Sequence, residues 1–293
     1  MGRDLADSFP VARRVFEEAD DRLGLALSRL CFEGPEDALV MTEHAQPAIL
    51  AASVAAFRVL EETAGLRPAA VAGHSLGEWS ALVAAGALGL GDAVVAVRER
   101  GRLMQEAVPA GEGAMAAVIG AERADVERLC DEAREGEVLS PANLNGAGQV
   151  VVAGHAGAVE RLVALATTRR LRAQRLAVSA PFHCALMAPA AAGLARHLER
   201  VQFSPPRVPV WTSVEARPVS GAAELPDLLV RQVTSPVRWE ETVLGMAGIG
   251  ATVALETGPG RVLTGLLKRT VATLPGVPAG DLAGIEKARE MLA

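Results

Sequence analysis

Tyrosine is absent from the 293 residues, and all aromatic residues together make up 3%. Proteins that grip single-stranded nucleic acid stack its bases on aromatic rings, so that mode of binding is excluded. Basic residues are not in surplus either. Lys and Arg number 29 against 35 Asp and Glu, a formal net charge of −6. Such a balance leaves nothing to neutralise a phosphate backbone, and no nucleic-acid partner is expected. The three cysteines, Cys31, Cys130 and Cys184, are scattered, odd in number and without metal-ligand spacing. They make neither a disulfide framework nor a metal centre, and they point to a reducing cytoplasm. Long apolar runs are missing. The richest, Ala81 to Leu90, is far too short to span a bilayer and reads as a buried helix. No charged-then-apolar leader opens the chain, so a cytoplasmic protein off the membrane is expected.

What is present argues for a folded domain of some size. Half the residues are apolar and 22% are charged, which disfavours disorder. The length allows a full core, as one large domain with an insertion.

The chain is organised around Val71-Ala72-Gly73-His74-Ser75-Leu76-Gly77-Glu78. An extended run from Pro68 precedes this Gly-x-Ser-x-Gly, and a helical stretch from Glu78 to Ala85 follows it. Strand, tight turn and helix in that order form a nucleophile elbow, with Ser75 at its apex. The glycines on either side let the two backbones pass closely, and the helix N-terminus aims free N–H groups at the site. The bland alternative is a glycine-rich turn with a bystander serine.

Before the elbow the chain is helical. Thr42 to Gln46 read as a loop and Pro47 as the start of an apolar helix to Thr63. After it, Asp92 is read as the cap of a helix running to about Val108. At ~100° per residue, Ala93, Ala96, Val97, Met104 and Ala107 fall in one apolar stripe of this helix, with Arg100 in the middle. An arginine on a packed face must find an anionic partner or stand as a costly unpaired charge. It is either a structural ion pair, a snorkelling side chain, or a fork for a substrate carboxylate.

Residues 111–178 then alternate as βαββαβ. Strands are expected at Ala114 to Ile119, Val138 to Asn143, Gln149 to Ala153 and Arg172 to Val178, and helices at Arg123 to Arg134 and Val159 to Arg169. That order is the split unit of ferredoxin-like domains, inserted between 1–110 and 179–293. The flanking parts are expected to form an α/β-hydrolase-like large domain around a central, mostly parallel sheet. Its later strands are read at Val208 to Thr212 and Thr252 to Glu256, and the tail from Pro275 as a loop and a short helix.

A serine nucleophile needs a base, and histidine is the usual one. His74 adjoins Ser75, so its side chain leaves in another direction. His197 lies in a polar helix, and His44 and His155 sit in loops. His183, in the Pro-bounded loop Ser179-Ala180-Pro181-Phe182-His183-Cys184, lies where two domains meet and clefts form. The alternative there is a hydrogen-bonded structural histidine.

Taken in order, Gly73-His74-Ser75-Leu76-Gly77-Glu78, Arg100-Gly101, Gly113-Ala114-Met115-Ala116-Ala117-Val118, Pro181-Phe182-His183-Cys184-Ala185-Leu186-Met187 and Gly258-Pro259-Gly260 resemble malonyl-CoA:acyl carrier protein transacylases of fatty acid synthesis. Polyketide synthase acyltransferase domains are more distant relatives. The resemblance covers nearly the whole chain. It implies ping-pong transfer of malonyl from coenzyme A through Ser75 to a carrier-protein thiol, with no cofactor. Ser75 would be the nucleophile and His183 its general base and acid. Arg100 would clamp the malonyl carboxylate, and the Leu76 N–H would supply an oxyanion-hole donor. The histidine would be oriented by a backbone carbonyl at the position held by Gln232. Phe182 before the histidine resembles the malonyl-selective polyketide domains, where a bulky ring leaves little room for a methyl branch. Leu76 resembles the free-standing enzymes, and the family favours monomers. Arg169, Arg170, Arg172, Arg175, Lys268 and Arg269 could meet an acidic carrier protein, or could simply be solvated helix ends.

One departure is large. The family opens on a strand and a Gly-Gln-Gly-Ser-Gln loop whose glutamine gives a second oxyanion N–H. Met1-Gly2-Arg3-Asp4-Leu5 matches the family just after that loop. The expectation is that on the order of 15 residues, a strand and a tight connection, are missing, with Met1 an internal methionine. Two other readings stay open: a serine thioesterase or acyl hydrolase, and a non-catalytic carrier-binding module.

Overall fold

Helices dominate the first hundred residues because apolar side chains recur there at helical spacing. The computed structural model describes residues 1–292. Helices α1 (Arg3–Ser8), α2 (Pro10–Leu23), α3 (Leu27–Glu33), α4 (Glu36–Leu39) and α5 (Thr42–Ala64) lead to the short strand β1 (Val71–Ala72). Then come α6 (Gly77–Ala84) and α7 (Leu90–Glu106). Helix α5 starts five residues before the expected Pro47. Pro47 is thus the sixth residue of the helix and withholds one N–H from its first turns, leaving the Glu43 carbonyl without its usual i+4 donor. Asp92 is not a cap. It is the third residue of α7, which follows Gly89, and its carboxylate pairs with Arg22 at 2.6 Å.

The middle of the chain folds as β2 (Gly113–Ile119), α8 (Arg123–Ala133), β3 (Leu139–Gly146), β4 (Gln149–His155), α9 (Ala156–Thr168) and β5 (Arg172–Arg175). Its four strands form an antiparallel sheet in the order β3-β4-β2-β5. Side chains alternate faces along β2 as a strand requires. Ala114, Ala116 and Val118 join the core beneath α8 and α9, while Met115 and Ala117 face the other way, toward Cys184. The loop read between β3 and β4 shrinks to two residues, Ala147 and Gly148, both with positive φ. That is the turn geometry whose twist matches the two strands.

The chain returns through α10 (Ala188–Leu198), β6 (Val210–Trp211), β7 (Pro218–Val219), α11 (Leu225–Thr234), α12 (Trp239–Ala247), β8 (Ala254–Glu256), α13 (Val262–Thr270), β9 (Gly276–Pro278) and α14 (Leu282–Leu292). The fold is therefore mixed α/β. One continuous central sheet was expected, but the described residues form two pieces. β1 pairs parallel with β6, and β7 adds antiparallel, giving the order β1-β6-β7. β8 pairs parallel with β9 on its own. No backbone bond joins β1 to β8. A cavity of about 420 Å³ lies between them, lined by Val71, Ala72, Trp239, Leu255, Leu263 and Leu267 among others. β7 and β9 went unread because two or three residues carry no periodicity.

The two units are joined by main-chain bonds. Leu144 N donates to Val237 O at 2.8 Å, and Val237 N donates to Ala142 O at 2.9 Å. The segment before α12 thus runs along the open edge of β3. No helix among the described residues is long and apolar enough to cross a membrane.

Candidate active site

Ser75 sits between β1 and α6 with φ +51°, a left-handed conformation that costs a non-glycine residue of order 1–3 kcal/mol. Gly73 makes this turn possible. A Cβ there would fall 1.8 Å from the Gly77 carbonyl carbon. Gly77 itself faces open space. Of the two motif glycines, only the first is sterically required.

Across the junction, the loop before α10 brings His183 to the serine, and it too has positive φ, +62°. Ser75 Oγ and His183 Nε2 are 2.7 Å apart. His183 Nδ1 is 2.9 Å from the main-chain oxygen of Gln232 on α11. A carbonyl can only accept, so Nδ1 carries the proton and Nε2 is left free to take one from Ser75. The ring is 4% exposed. Burial, and next the nearby positive charge of Arg100, push its pKa down from 6.5 to about 3. His183 is therefore neutral at working pH, as a general base must be. Cys184, its neighbour, does not compete as a nucleophile. It is buried with Sγ bonded to Pro181 O, and burial pushes its thiol up to about 11.

Arg100 reaches the serine from α7. The wheel placed it on the packed face, and it is 2% exposed. Glycine at position 101 allows this, because a Cβ there would lie 2.5 Å from Thr42 O at the start of α5. That close approach sets Gln46, one turn along α5, beside the guanidinium. Arg100 Nη1 donates to Gln46 Oε1 at 2.8 Å. Nη2 donates to Gln232 Oε1 at 2.9 Å and to Ser75 Oγ at 3.1 Å. Nε is buried with no partner among the described residues. Among the described residues Arg100 is thus held by neutral oxygens, without a carboxylate in direct contact, and its Nε–H and one Nη1–H are unused. The structural ion pair considered from the wheel is not formed. Burial lowers its pKa to about 10, and the field of Glu78 partly restores it.

The remaining sequence candidates fall around this centre. Leu76 is buried, and its main-chain N–H, at the foot of α6, has no partner among the described residues. Phe182 is half-buried against the cores of both units. His74 points away from the serine, its Nε2 2.9 Å from Asn145 Oδ1 on β3 and its ring edge-on to Trp239. His44 and His155 bond the backbone near their own segments.

Sequence reasoning missed three residues. Gln46 lay in the supposed loop before Pro47. Asn145 lay in the supposed hairpin turn. Glu78 read as an ordinary first-turn residue of a helix, yet it is 2% exposed. Glu78 Oε2 accepts from Ser213 N at 2.9 Å and from Gln232 Nε2 at 2.7 Å. Desolvation, the largest influence, raises its pKa. A polar residue on an otherwise apolar stripe was the one signal available for Gln46 and Glu78, as it was for Arg100.

Known proteins resemble this chain over nearly its whole length. The family described as acyl transferase domain matches residues 1–290. A malonyl CoA-acyl carrier protein transacylase of Escherichia coli K12 is 47% identical over 292 residues, covering 99% of this chain and 94% of the relative. The Bacillus subtilis 168 protein of the same name is 44% identical, covering 100% and 92%. Among solved structures, the Coxiella burnetii malonyl CoA-acyl carrier protein transacylase superposes with a TM-score of 0.97 at 41% identity, covering 100% and 93%. A malonyl-transacylase in complex with a type II PKS acyl-carrier protein gives 0.96 at 48% identity, covering 99% and 94%. The chain belongs to the acyl transferase domain family.

Proposed function

We propose that this chain transfers a malonyl group from malonyl-CoA to the phosphopantetheine thiol of an acyl carrier protein, through an ester on Ser75, in fatty acid biosynthesis. The observation that carries the reading is Arg100. A buried guanidinium 3.1 Å from the nucleophile, held by neutral acceptors and with N–H groups to spare, suits an acyl group that ends in a carboxylate. A serine esterase or thioesterase for uncharged acyl chains would have no use for it.

In the first half-reaction His183 Nε2 takes the Ser75 proton as Oγ attacks the thioester carbon. The oxyanion is met by the Leu76 N–H at the positive end of α6. The tetrahedral centre collapses, the C–S bond breaks, and His183 returns its proton to the departing coenzyme A thiolate. The Nη2–H that rests on Ser75 Oγ in the free enzyme is released when Oγ becomes an ester, and turns to the malonyl carboxylate. The second half-reaction repeats these steps with the carrier thiol as nucleophile and Ser75 Oγ as leaving group. The main-chain oxygen of Gln232 holds the imidazole tautomer throughout. In this reading Phe182, next to His183 in sequence, restricts branching at the acyl α-carbon, a discrimination worth about 1–3 kcal/mol.

In this reading residues 1–110 and 179–293 form a hydrolase-like catalytic domain, and 111–178 an inserted ferredoxin-like domain. The support is the strand order β3-β4-β2-β5 with two helices on one face. The chemistry calls on no cofactor. For the carrier surface, the basic cluster named from sequence is weaker than its count. Arg169 pairs with Glu132, and Arg175 with Glu160. Arg170, Arg172, Lys268 and Arg269 remain exposed and without ion pairs among the described residues. Incubation with malonyl-CoA followed by intact mass tests the reading. A malonyl adduct lost in Ser75→Ala supports it. Rapid release of free malonate supports a hydrolase, and no adduct supports a binding module.

A further inference from the structure

The side chain of Gln232 is fully buried and has a direction. Its Oε1 accepts from Arg100 Nη2 at 2.9 Å. Its Nε2 donates to Glu78 Oε2 at 2.7 Å and to Ser75 O at 3.2 Å. A carboxamide turned by 180° would set its NH₂ against the guanidinium and its C=O against the Glu78 carboxyl. Both contacts would become repulsive, and the bond to Ser75 O would be lost. The amide is therefore polarised by what stands at its two ends: a cation on one side, an acceptor on the other.

We infer that Glu78 is a positioning residue for acyl selectivity: by accepting from Gln232 Nε2 it fixes the polarity of that amide, and so keeps an acceptor facing Arg100 and the guanidinium aimed at the acyl carboxylate. The placement favours this role. Glu78 stands three residues after the nucleophile, in the first turn of α6, so it moves with Ser75. Its Oε2 is also anchored by Ser213 N, just past the end of β6. The same glutamine contributes its main-chain oxygen to His183 Nδ1. One residue on α11 thus serves the base with its backbone and the carboxylate clamp with its side chain, and Glu78 governs only the second. Glu78 needs an accepting oxygen at this reach more than it needs its charge, because a neutral carbonyl in the same place also accepts from Nε2 and so holds the amide in the same direction, though more weakly.

The inference rests on the proposed malonyl transfer, and the wild-type protein tests that part separately. Transfer to holo acyl carrier protein is measured with malonyl-CoA and with acetyl-CoA, and the ratio of the two kcat/KM values is read. Glu78→Gln keeps an oxygen at full reach. Glu78→Asp keeps the charge but withdraws it by one methylene. Losing a bond that orients a charged group is expected to lower the malonyl-to-acetyl ratio in Glu78→Asp by roughly ten- to a hundredfold. Glu78→Gln should stay within about threefold of wild type on that scale. Gln232→Met should lower the ratio as Glu78→Asp does, and combining the two should lower it no further, since both act through one amide. Equal loss with both acyl groups in Glu78→Asp would mean a merely structural role and would overturn the inference. So would Glu78→Gln falling as far as Glu78→Asp, or additive losses in the double variant. If Glu78→Asp does not fold, Gln232→Met decides, and an unchanged ratio there overturns the inference. A wild type with no preference for malonyl overturns the proposed function itself.

Discussion

Replacing Arg100 with Met keeps most of the buried volume and removes the charge. Two effects follow, and they separate by substrate. The guanidinium offers the malonyl carboxylate paired charge-assisted bonds inside a dry site, and breaking such a buried pair costs roughly 3–5 kcal/mol. At about 1.4 kcal/mol per decade, kcat/KM for malonyl-CoA should fall on the order of 10²–10⁴-fold. An acetyl group has no carboxylate. Its transfer loses no carboxylate pair, only the bonds Arg100 makes to Gln46 Oε1, Gln232 Oε1 and Ser75 Oγ at 2.8, 2.9 and 3.1 Å, of which the one at the reacting oxygen is worth on the order of tenfold. The second effect is on the base. Arg100 is the second cause, after burial, of the low His183 pKa. Without that charge the acid limb of the acetyl-transfer profile should move up from about 3 toward 6.5, stopping short because burial remains. The assay is transfer to holo carrier protein from both thioesters across the acid range. Losses of the same size for malonyl and acetyl would refute the carboxylate clamp. An unmoved acid limb would refute the coupling between Arg100 and His183.

Gly73→Ala places a methyl 1.8 Å from the Gly77 backbone, so the elbow must open. Denaturant titration should show a loss of at least about 1–3 kcal/mol, along with loss of the Ser75 adduct, whereas Gly77→Ala, at a helix start in open space, should be neutral or stabilising by up to about 1 kcal/mol. The histidines set a pH dependence of stability. His183 is neutral when folded down to about 3, while an unfolded histidine protonates near 6.5. Below 6.5 the unfolded chain binds the extra proton, so stability falls as pH drops through this window. The slope reaches about 1.4 kcal/mol per pH unit, and His74, whose pKa is also lowered by burial, adds in the same direction. Unfolding midpoints of wild type and His183→Gln between pH 4 and pH 7 should converge on the acid side; parallel curves would contradict it.

Local signals in the sequence were enough to single out Ser75 and Arg100. Ser75 announced itself because strand, glycine turn and helix are contiguous. Arg100 did so because a cation on a packed stripe has few explanations. His183 was legible only as a candidate: its tautomer depends on Gln232, 49 residues away. Gln46, Glu78 and Asn145 were missed. Each looks like an ordinary polar residue near a helix start or a turn until the fold brings its partner from 54, 154 or 71 positions away. The βαββαβ rhythm was legible because its strands run to seven or eight residues over much of the sheet. In the flanking parts β1, β6 and β8 were read, but β7, β9 and the division into two sheets were not, since these strands are two or three residues each. A strand that short has no period. Helix α12 was overlooked for a related reason: Trp239-Glu240-Glu241-Thr242 opens it with bulky and acidic residues just after Ser235-Pro236, where the previous helix had ended.

The central claim is that Ser75 carries malonyl and yields it to a thiol and not to water. The direct measurement isolates the protein after malonyl-CoA treatment, confirms one malonyl group on Ser75 by intact mass, and divides the sample. One half receives holo acyl carrier protein and the other buffer alone. The account predicts that the adduct persists in buffer and moves stoichiometrically to the carrier thiol when the carrier is added. An adduct that disappears equally fast in both halves, releasing free malonate, would contradict it.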